Sequence, residues 1–176
     1  MSKNVTRIVA ILIILGLNVG CDQISKNMVR KQIRYNEQIN LLDTYVTLTK
    51  IENTGAFLSL GNSYPKPVKI LLMIIIPLVL LGAGTIFMLI KSNLSRITTL
   101  GMCFIVGGGV GNIYDRIVYG SVTDFLHIDF VLFQTGIFNL ADLSVMIGVC
   151  LFLLEFFLQS RNQKLHVEYK EDSPTS

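Results

Sequence analysis

The sequence has few residues that build metal sites, and none of the usual spacings for them. Its only histidines are His127 and His166, and it contains no H-E-x-x-H motif. The net charge of +3 does not suggest nucleic acid as a partner. These features count against a metalloprotease and against a nucleic-acid-binding protein. Three cysteines without C-x-x-C spacing lie in or beside apolar runs, which predicts small buried side chains for Cys21, Cys103 and Cys150.

Charge is also scarce, and long apolar runs dominate the chain. Only 15% of the residues are charged and 51% are hydrophobic, with no Trp and a mean hydropathy of +0.57. The runs are too long for the core of a soluble domain. We predict an all-α membrane protein with four transmembrane helices, as a single domain over residues 1–160 with a polar cytoplasmic tail over 161–176. The four runs are Ile8–Gly20 with flanking residues, Val68–Ile90, Ile97–Val118 and Ile137–Leu158.

The first run allows a second interpretation. It has a basic start and ends in Val19-Gly20-Cys21, as a bacterial lipoprotein export signal does, with Cys21 as the lipidated residue. However, Asn18 stands where such signals prefer an aliphatic residue, and three more apolar runs follow. We therefore interpret this run as the first transmembrane helix.

Residues 25–67 form a polar insert between the first two runs. Lys26–Tyr35 has the pattern of an amphipathic helix on the membrane surface. Tyr45–Thr49 alternates like a β-strand, and Phe57–Leu60 can pair with it across a turn. We predict a small extramembrane β-strand piece and a surface amphipathic helix in this first outer loop.

Four spans place both termini on the same side of the membrane. The loop that joins the last two spans, Gly120–Gly136, carries Asp124 but no Lys or Arg, which favours the outside. Lys and Arg in the first outer loop balance those of the opposite side and decide nothing. We therefore expect cytoplasmic termini and a carboxylate-bearing loop near the outer face.

Polar residues in the third run predict contacts inside the helix bundle. Gly107 and Gly111 lie four residues apart on one helical face, where small residues let another backbone approach closely. Asn112 and Arg116 also share a face, and we expect both to contact substrate. Asp115 has the alternative of an ion pair with Arg116 that locks the bundle.

Asp124 and Asp142 flank the loop between the third and fourth runs. Antiparallel helices joined by a short loop bring these ends together at one membrane face. Two nearby carboxylates do not both ionise cheaply, so the pair can supply a base that activates water and an acid for the leaving amine. The alternative is that Asp142 merely caps a helix and that Asp124 is an ordinary loop residue.

The chain resembles the lipoprotein signal peptidases, which are type II signal peptidases and bacterial intramembrane aspartyl proteases. The resemblance covers nearly the whole chain, and its motifs occur in family order: Asp22–Lys26, Asn53–Phe57, Gly107–Gly108, Gly111–Asn112, Asp115–Arg116, Val122–Phe125 and Phe138–Asp142. It implies Asp124 and Asp142 as the catalytic dyad. It also implies substrate-binding residues, namely Asn53, Gly108, Asn112, Arg116 and Asn139. Supporting roles would fall to Asp22, Lys26 and Asp115, although the first two could simply form an i,i+4 surface ion pair.

The resemblance further implies the reaction. The expected enzyme removes the signal peptide from diacylglyceryl-modified prolipoproteins, cleaving just before the lipidated Cys, without a metal or organic cofactor. It would work as a monomer in the bacterial inner membrane, with its site near the periplasmic face, and globomycin-like peptides would inhibit it.

Other functions have weaker support in the sequence. His127 and Asp129 near Asp124 could suggest a metal site, and Ser121 with His127 a serine protease, but neither has the required sequence context. The G-x-G-D run of presenilin-like proteases is absent. A proton-coupled transporter or a membrane scaffold is the alternative from another class, but no internal repeat supports it.

Overall fold

The computed structural model describes residues 3–41, 45–55, 61, 63–130 and 133–171. Within these ranges, four helices are long and apolar enough to cross a membrane: Asn4–Gln32, Lys66–Ile90, Arg96–Val118 and Leu140–Arg161. The four-span prediction is therefore confirmed. The elements in chain order are α1 (Lys3–Gln32), β1 (Gln38–Leu41), β2 (Val46–Asn53), α2 (Lys66–Ile70), a π-helical turn (Leu71–Ile75), α3 (Ile76–Ile90), α4 (Arg96–Val118), β3 (Val122–Ile128) and α5 (Leu140–Glu171).

Helix α4 is the centre of the bundle. In the most apolar stretch of α4, 39% of the residues are buried within the protein, whereas the share is 17% or less in the other three spans. Its run Gly107–Gly109 faces, in order, Asn18 of α1, Ala141 of α5 and Leu81 of α3. Successive helical residues point about 100° apart, so three adjacent glycines let three helices approach one axis. This confirms the close packing predicted from the glycines.

The second span is continuous but locally distorted. Its π-helical turn ends at Ile75, two residues before Pro77, and the Ile76 N–H donates to the carbonyl of Leu71, five residues back. Proline has no N–H and its ring crowds the preceding turn, which accounts for the wider turn at this point. At the other end, Arg7 of α1 donates to the carbonyls of Met88 and Lys91 at 2.6 and 2.8 Å, joining α1 to the end of α3.

A three-stranded antiparallel sheet in the order β1-β2-β3 covers one end of the bundle. In the register of β2 with β3, Glu52 pairs with Thr123 and Asn53 pairs with Val122, after a shift between Leu48 and Ile51. Side chains alternate along a strand, so Asn53 and Asp124 share one face of the sheet. Thr123 and Glu52 lie on the opposite face.

Two predicted elements differ from the structure. The predicted loop Gly120–Gly136 contains β3, because Val122 and its neighbours pair with β2, a partner remote in sequence. The predicted separate helix Lys26–Tyr35 is wrong as an element, since α1 continues through Gln32. Of the apolar residues expected to face inward in this segment, Val29 and Ile33 do so and pack with Phe125, whereas Met28 is exposed.

The remaining predictions concern the strand pair, the tail and the cysteines. The predicted strand Tyr45–Thr49 corresponds to β2, whereas Phe57–Leu60 lies outside the described residues. Helix α5 continues past residue 160 to Glu171, so the first part of the predicted tail is helical. Cys103 alone of the three cysteines is buried within the protein, while the other two lie on the outer surface of α1 and α5, where apolar side chains face the lipid.

Candidate active site

Asp124 and Asp142 lie close together and are connected through Asn139. The Asn139 side-chain amide donates to Asp124 Oδ1 at 2.6 Å, while its carbonyl oxygen accepts from the Asp142 backbone N–H at 3.0 Å. Asp124 is only 4% exposed, whereas Asp142 is half-buried. The structure therefore brings the two predicted carboxylates to the same site, one from β3 and one from the first turn of α5.

Two further asparagines complete the set of donors to the carboxylates. Asn53 on β2 donates from Nδ2 to Asp124 Oδ2 at 3.0 Å. Asn112 on α4 donates from Nδ2 to Asp142 Oδ1 at 2.8 Å. All three predicted asparagines therefore contact an aspartate, and each approaches it from a different secondary-structure element.

The orientation of each asparagine amide is fixed by a second contact of its oxygen. Asn53 Oδ1 accepts from the Gly55 N–H at 2.9 Å, and Asn112 Oδ1 accepts from Lys26 Nζ at 2.9 Å. Asn139 Oδ1 is occupied by the Asp142 N–H. Since a flipped amide would lose these contacts and turn its oxygen toward a carboxylate, the network specifies which end donates.

The environment of Asp124 disfavours its ionised form. Burial raises the pKa of Asp124 to about 6 from its ordinary value near 3.8. The hydrogen bonds from Asn53 and Asn139 and the charge of Lys26 lower this pKa, whereas the negative charge of Asp142 raises it further. A carboxyl group with a pKa near neutrality can exchange a proton during catalysis.

Asp142 is held at the N-terminus of α5. Asn139 is the N-cap, and the Asn139 backbone N–H donates to Asp142 Oδ2 at 3.2 Å, completing a reciprocal capping arrangement. Asp22 of α1 accepts from the Ala141 N–H at 2.9 Å. The helix-cap interpretation of Asp142 is thus correct as geometry, but the same residue also lies beside Asp124.

Arg116 holds the turn that follows β2. It donates to the Gly55 carbonyl at 2.9 Å and to the Asn112 carbonyl at 3.3 Å. Asn53 and Gly55 are therefore fixed from two sides, by their own hydrogen bond and by Arg116. The expected position of Arg116 near the aspartates is observed, whereas its alternative ion pair with Asp115 is not among the described salt bridges.

Asp115 instead belongs to a buried ion cluster behind the carboxylates. Lys26 Nζ lies 2.8 Å from Asp22 and 3.1 Å from Asp115, and all three side chains are essentially unexposed. Arg30 contacts Asp115 at 2.9 Å. The predicted pair of Asp22 and Lys26 is therefore present within α1, but it is buried and is joined to α4 through Asp115, and it is not a surface pair.

Sequence reasoning missed an arm of this cluster that reaches the sheet. Arg30 Nε donates to Thr123 Oγ1 at 2.8 Å, and Thr123 donates to Glu52 at 2.9 Å. The Arg30 guanidinium also stacks 3.9 Å above the Tyr119 ring. The signal was present in the sequence, because Asn18, the Asp22–Lys26 pair and Arg30 recur every four residues along one face of α1.

Gly108 has a packing role in the structure. A Cβ at this position would meet the carbonyl oxygen of Ala141 and the side chain of Val145, so α4 and α5 could not approach as they do. Its predicted contact with substrate stays a prediction.

Within the part of the chain that the structure describes, no three His, Cys, Asp or Glu side chains are grouped to hold a metal ion. His127 lies near the end of β3, where it pairs with Thr47 across the sheet. Asp129 accepts instead from Gln134 at 3.0 Å.

One cavity lies beside the site and another lies elsewhere on the bundle, and neither is lined by Asp124 or Asp142. The first, of about 660 Å³, lies between the start of the second span and the end of α4, and Thr54 and Arg116 contribute to its wall. The second, of about 450 Å³, is an apolar groove between α3, α4 and α5 whose lining includes Gly84 and Gly109. Glycine at these positions leaves room that a side chain would fill.

The fold and the site define a four-span membrane protein with two carboxylates, connected through an asparagine, at one end of its helix bundle. The sequence profile described as Signal peptidase (SPase) II matches residues 11–158. The chain is 32% identical over 173 residues to the lipoprotein signal peptidase of Borrelia turicatae, covering 95% of this chain and all of that one. It is 33% identical over 156 residues to that of Streptococcus pneumoniae, covering 88% and 95%. The chain belongs to the signal peptidase II family, so it is a peptidase.

Solved structures support the same fold. A bacterial membrane enzyme determined by the in meso method at 2.3 Å resolution superposes with a TM-score of 0.79 at 22% identity, covering 88% of this chain and 92% of that one. A second, at 1.9 Å resolution, gives a TM-score of 0.74 at 24% identity. The profile and the relatives confirm the family resemblance inferred from the motifs, and the solved structures confirm the fold. The transporter and scaffold alternatives therefore lose their support.

Proposed function

We propose that the chain is an aspartyl endopeptidase that removes the signal peptide from diacylglyceryl-modified prolipoproteins, cleaving just before the lipidated Cys. The observation that carries the proposal is the pairing of Asp124 and Asp142 through Asn139. The curated relatives named lipoprotein signal peptidase support the choice of substrate.

The surroundings of the two carboxylates differ, which supports different proposed roles for them. Asp142 accepts from the Asn112 amide and the Asn139 N–H, at the positive end of the α5 dipole, so its negative charge is stabilised. Asp124 is buried and has a pKa of about 6, so its protonated form is accessible. Asp142 acts as the base and Asp124 as the acid.

In the proposed reaction, a water between the carboxylates attacks the carbonyl carbon of the residue before the lipidated Cys. Its proton passes to Asp142, and a tetrahedral intermediate forms. The C–N bond then breaks, and Asp124 protonates the departing amine of the Cys. The net change is addition of one water across the peptide bond, and both carboxyl groups return to their starting states after one proton exchange.

The membrane setting explains how such a substrate arrives. The apolar groove between α3, α4 and α5 faces the bilayer, and its walls include Leu81, Ile105 and Phe152. The signal helix enters the enzyme through this groove, while the turn held by Arg116 covers the site from outside. We place the termini in the cytoplasm and the active site at the periplasmic face of the inner membrane. Globomycin-like peptides are the expected inhibitors, and the monomer is the expected active form.

Substitution of each aspartate by asparagine tests the dyad. We expect both Asp124→Asn and Asp142→Asn to lower the cleavage rate of a purified diacylglyceryl-modified precursor by at least about a thousandfold, because neither amide exchanges a proton. The thermal unfolding midpoint should change little. Asp129→Asn is the matched control, since this carboxylate lies beyond the end of β3 and bonds to Gln134. Full activity in either dyad variant would remove that residue from the mechanism. Inhibition of the unsubstituted enzyme by chelators would contradict the metal-free mechanism as a whole.

A further inference from the structure

The cavity beside the start of the second span has both apolar and cationic side chains in its lining. Its volume is about 660 Å³, and Ile70, Met73 and Ile117 contribute apolar surface to it. Lys66 and Lys69 lie at the start of the second span and also line it. This arrangement would hold an extended segment of peptide against apolar surface with acidic side chains at the lysines.

No carboxylate of the described residues forms a salt bridge with either lysine. Among the described residues that line the cavity, none is Asp or Glu; Arg116 also lines it, but its charge interacts with those of Asp142, Asp124 and Asp115. The sequence itself contains no acidic residue between Glu52 and Asp115. Lys66 is exposed and Lys69 is half-buried, with its Nζ 3.4 Å from Thr54 Oγ1. A concave surface with charge of one sign attracts groups of the opposite sign.

The cavity adjoins the paired carboxylates. Thr54 in its wall directly follows Asn53, which donates to Asp124. Arg116, also in its wall, bonds to the Asn112 carbonyl, and Asn112 in turn donates to Asp142. A peptide bond held at the carboxylates would therefore have its flanking residues within reach of this cavity.

We propose that Lys66 and Lys69 form a subsite that favours substrates with Asp or Glu among the first few residues after the cleaved bond. This inference rests on the proposed function, which places the cleaved bond at the end of the signal helix. The residues beyond that bond leave the bilayer on the aqueous side. The cavity lies at that end of the bundle, where its wall includes Arg116 and Ile117 at the end of α4 and Gly120 just beyond it.

Paired substrates that differ only in charge test the subsite. The substrates are purified diacylglyceryl-modified precursors with either two Asp or two Lys at the second to fourth positions after the cleaved bond. We expect kcat/KM for the acidic precursor to exceed that for the basic one by about three- to tenfold at low salt, as two partly exposed charge pairs allow. The preference for the acidic precursor should shrink at about 0.5 M salt, because salt screens exposed charges.

Variants of the lysines assign the preference to the cavity. The double variant Lys66→Gln, Lys69→Gln should lose the preference, and Lys69→Glu should favour the basic precursor. Lys31→Gln removes the same charge from an exposed position on α1 that does not line the cavity, and it should keep the preference. Equal kcat/KM for the two precursors with the unsubstituted enzyme would overturn the subsite, as would a preference that survives in the double variant.

The assay also separates this subsite from two other outcomes. It is run in neutral detergent and in vesicles with or without anionic lipid. If the lysine variants lower cleavage of both precursors equally and only in anionic vesicles, the lysines bind lipid headgroups and the subsite is refuted. If the unsubstituted enzyme cleaves neither precursor, the proposed function itself fails, whereas cleavage of both at one rate removes the subsite alone.

Discussion

Removing the Asn53 amide should shift the pH range in which the enzyme works. Asn53 Nδ2 lies 3.0 Å from Asp124 Oδ2 and stabilises the ionised carboxylate. Burial, and then the charge of Asp142, act in the opposite direction, while Asn139 and Lys26 act in the same direction as Asn53. In Asn53→Ala one stabilising donor is lost, so the pKa of Asp124 should rise above its value of about 6.

The size of the shift follows from the strength of this contact. A hydrogen bond to a charged group contributes about 1.5–3 kcal/mol, and one pKa unit corresponds to about 1.4 kcal/mol. The pKa of Asp124 should therefore rise by about one to two units, with the lower end expected where water replaces the amide. In the proposed mechanism Asp124 must be protonated, so activity is present below this pKa and is lost as the pH rises through it. The fall of kcat/KM at high pH should lie at about pH 6 in the unsubstituted enzyme and about one to two pH units higher in Asn53→Ala.

The measurement is kcat/KM for a diacylglyceryl-modified precursor from about pH 4 to pH 9, a range that spans both carboxyl groups of the pair. Asn40→Ala is the matched control, because Asn40 is an exposed asparagine of the same sheet whose oxygen accepts from Thr47 at 3.2 Å. Its pH profile should match that of the unsubstituted enzyme. An unchanged alkaline limb in Asn53→Ala, or one displaced to lower pH, would refute Asp124 as the acid.

Two packing predictions follow from the same structure. Gly108→Ala should destabilise the protein by about 1–3 kcal/mol, because its Cβ would collide with the Ala141 carbonyl oxygen, whereas Gly82→Ala, with open space around its Cβ, should be neutral or slightly stabilising. Unfolding midpoints in one detergent compare the two, and equal midpoints would contradict the packing. Arg30→Met should lower stability by about 3 kcal/mol, the lower end for a broken buried pair, because the carboxylate keeps a second cation. It should also reduce kcat more than it changes KM, since Thr123, which precedes the proposed catalytic residue Asp124, loses its donor. A fall in kcat that is fully explained by a smaller fraction of folded protein would contradict that role.

The parts of the fold that the sequence predicts are those with local causes. The spans follow from the length of the apolar runs, and Ser95 begins α4 as a capping residue whose hydroxyl accepts from the Thr98 N–H. Strand β3 was missed because its pairing partner, β2, is about seventy residues away in sequence, as the hydrogen bond between Asn53 and Asp124 shows. A strand stabilised by so remote a partner has no strong signal of its own.

The candidate site divides in the same way. The motifs identify Asp124, Asp142 and the three asparagines, and the structure places all five together. Whether the nitrogen or the oxygen of each amide faces a carboxylate depends on what the amide oxygen contacts. These contacts exist only in the folded chain. The four-residue repeat of polar groups on α1 was a readable signal for Arg30, but only the Asp22–Lys26 pair was recognised as a site feature.

The contact between α1 and α4 connects helix packing to the hydrogen bond that Asp142 accepts from Asn112. Lys26 is fully buried and holds the Asn112 oxygen, so the Asn112 amide must face Asp142 as long as Lys26 stays in place. Lys26 is in turn held by Asp22, and a Cβ at Gly111 would lie 2.5 Å from Asp22 Oδ2. A side chain at Gly111 would therefore displace Asp22 and weaken the hold on Lys26, leaving Asp115 as its other carboxylate partner, before it reached either proposed catalytic carboxylate. The contacts of Gly111 with Asp22 and of Lys26 with Asn112 join α1 to α4, so glycine at position 111 supports the hydrogen bond that orients the proposed base, some distance from the reacting atoms.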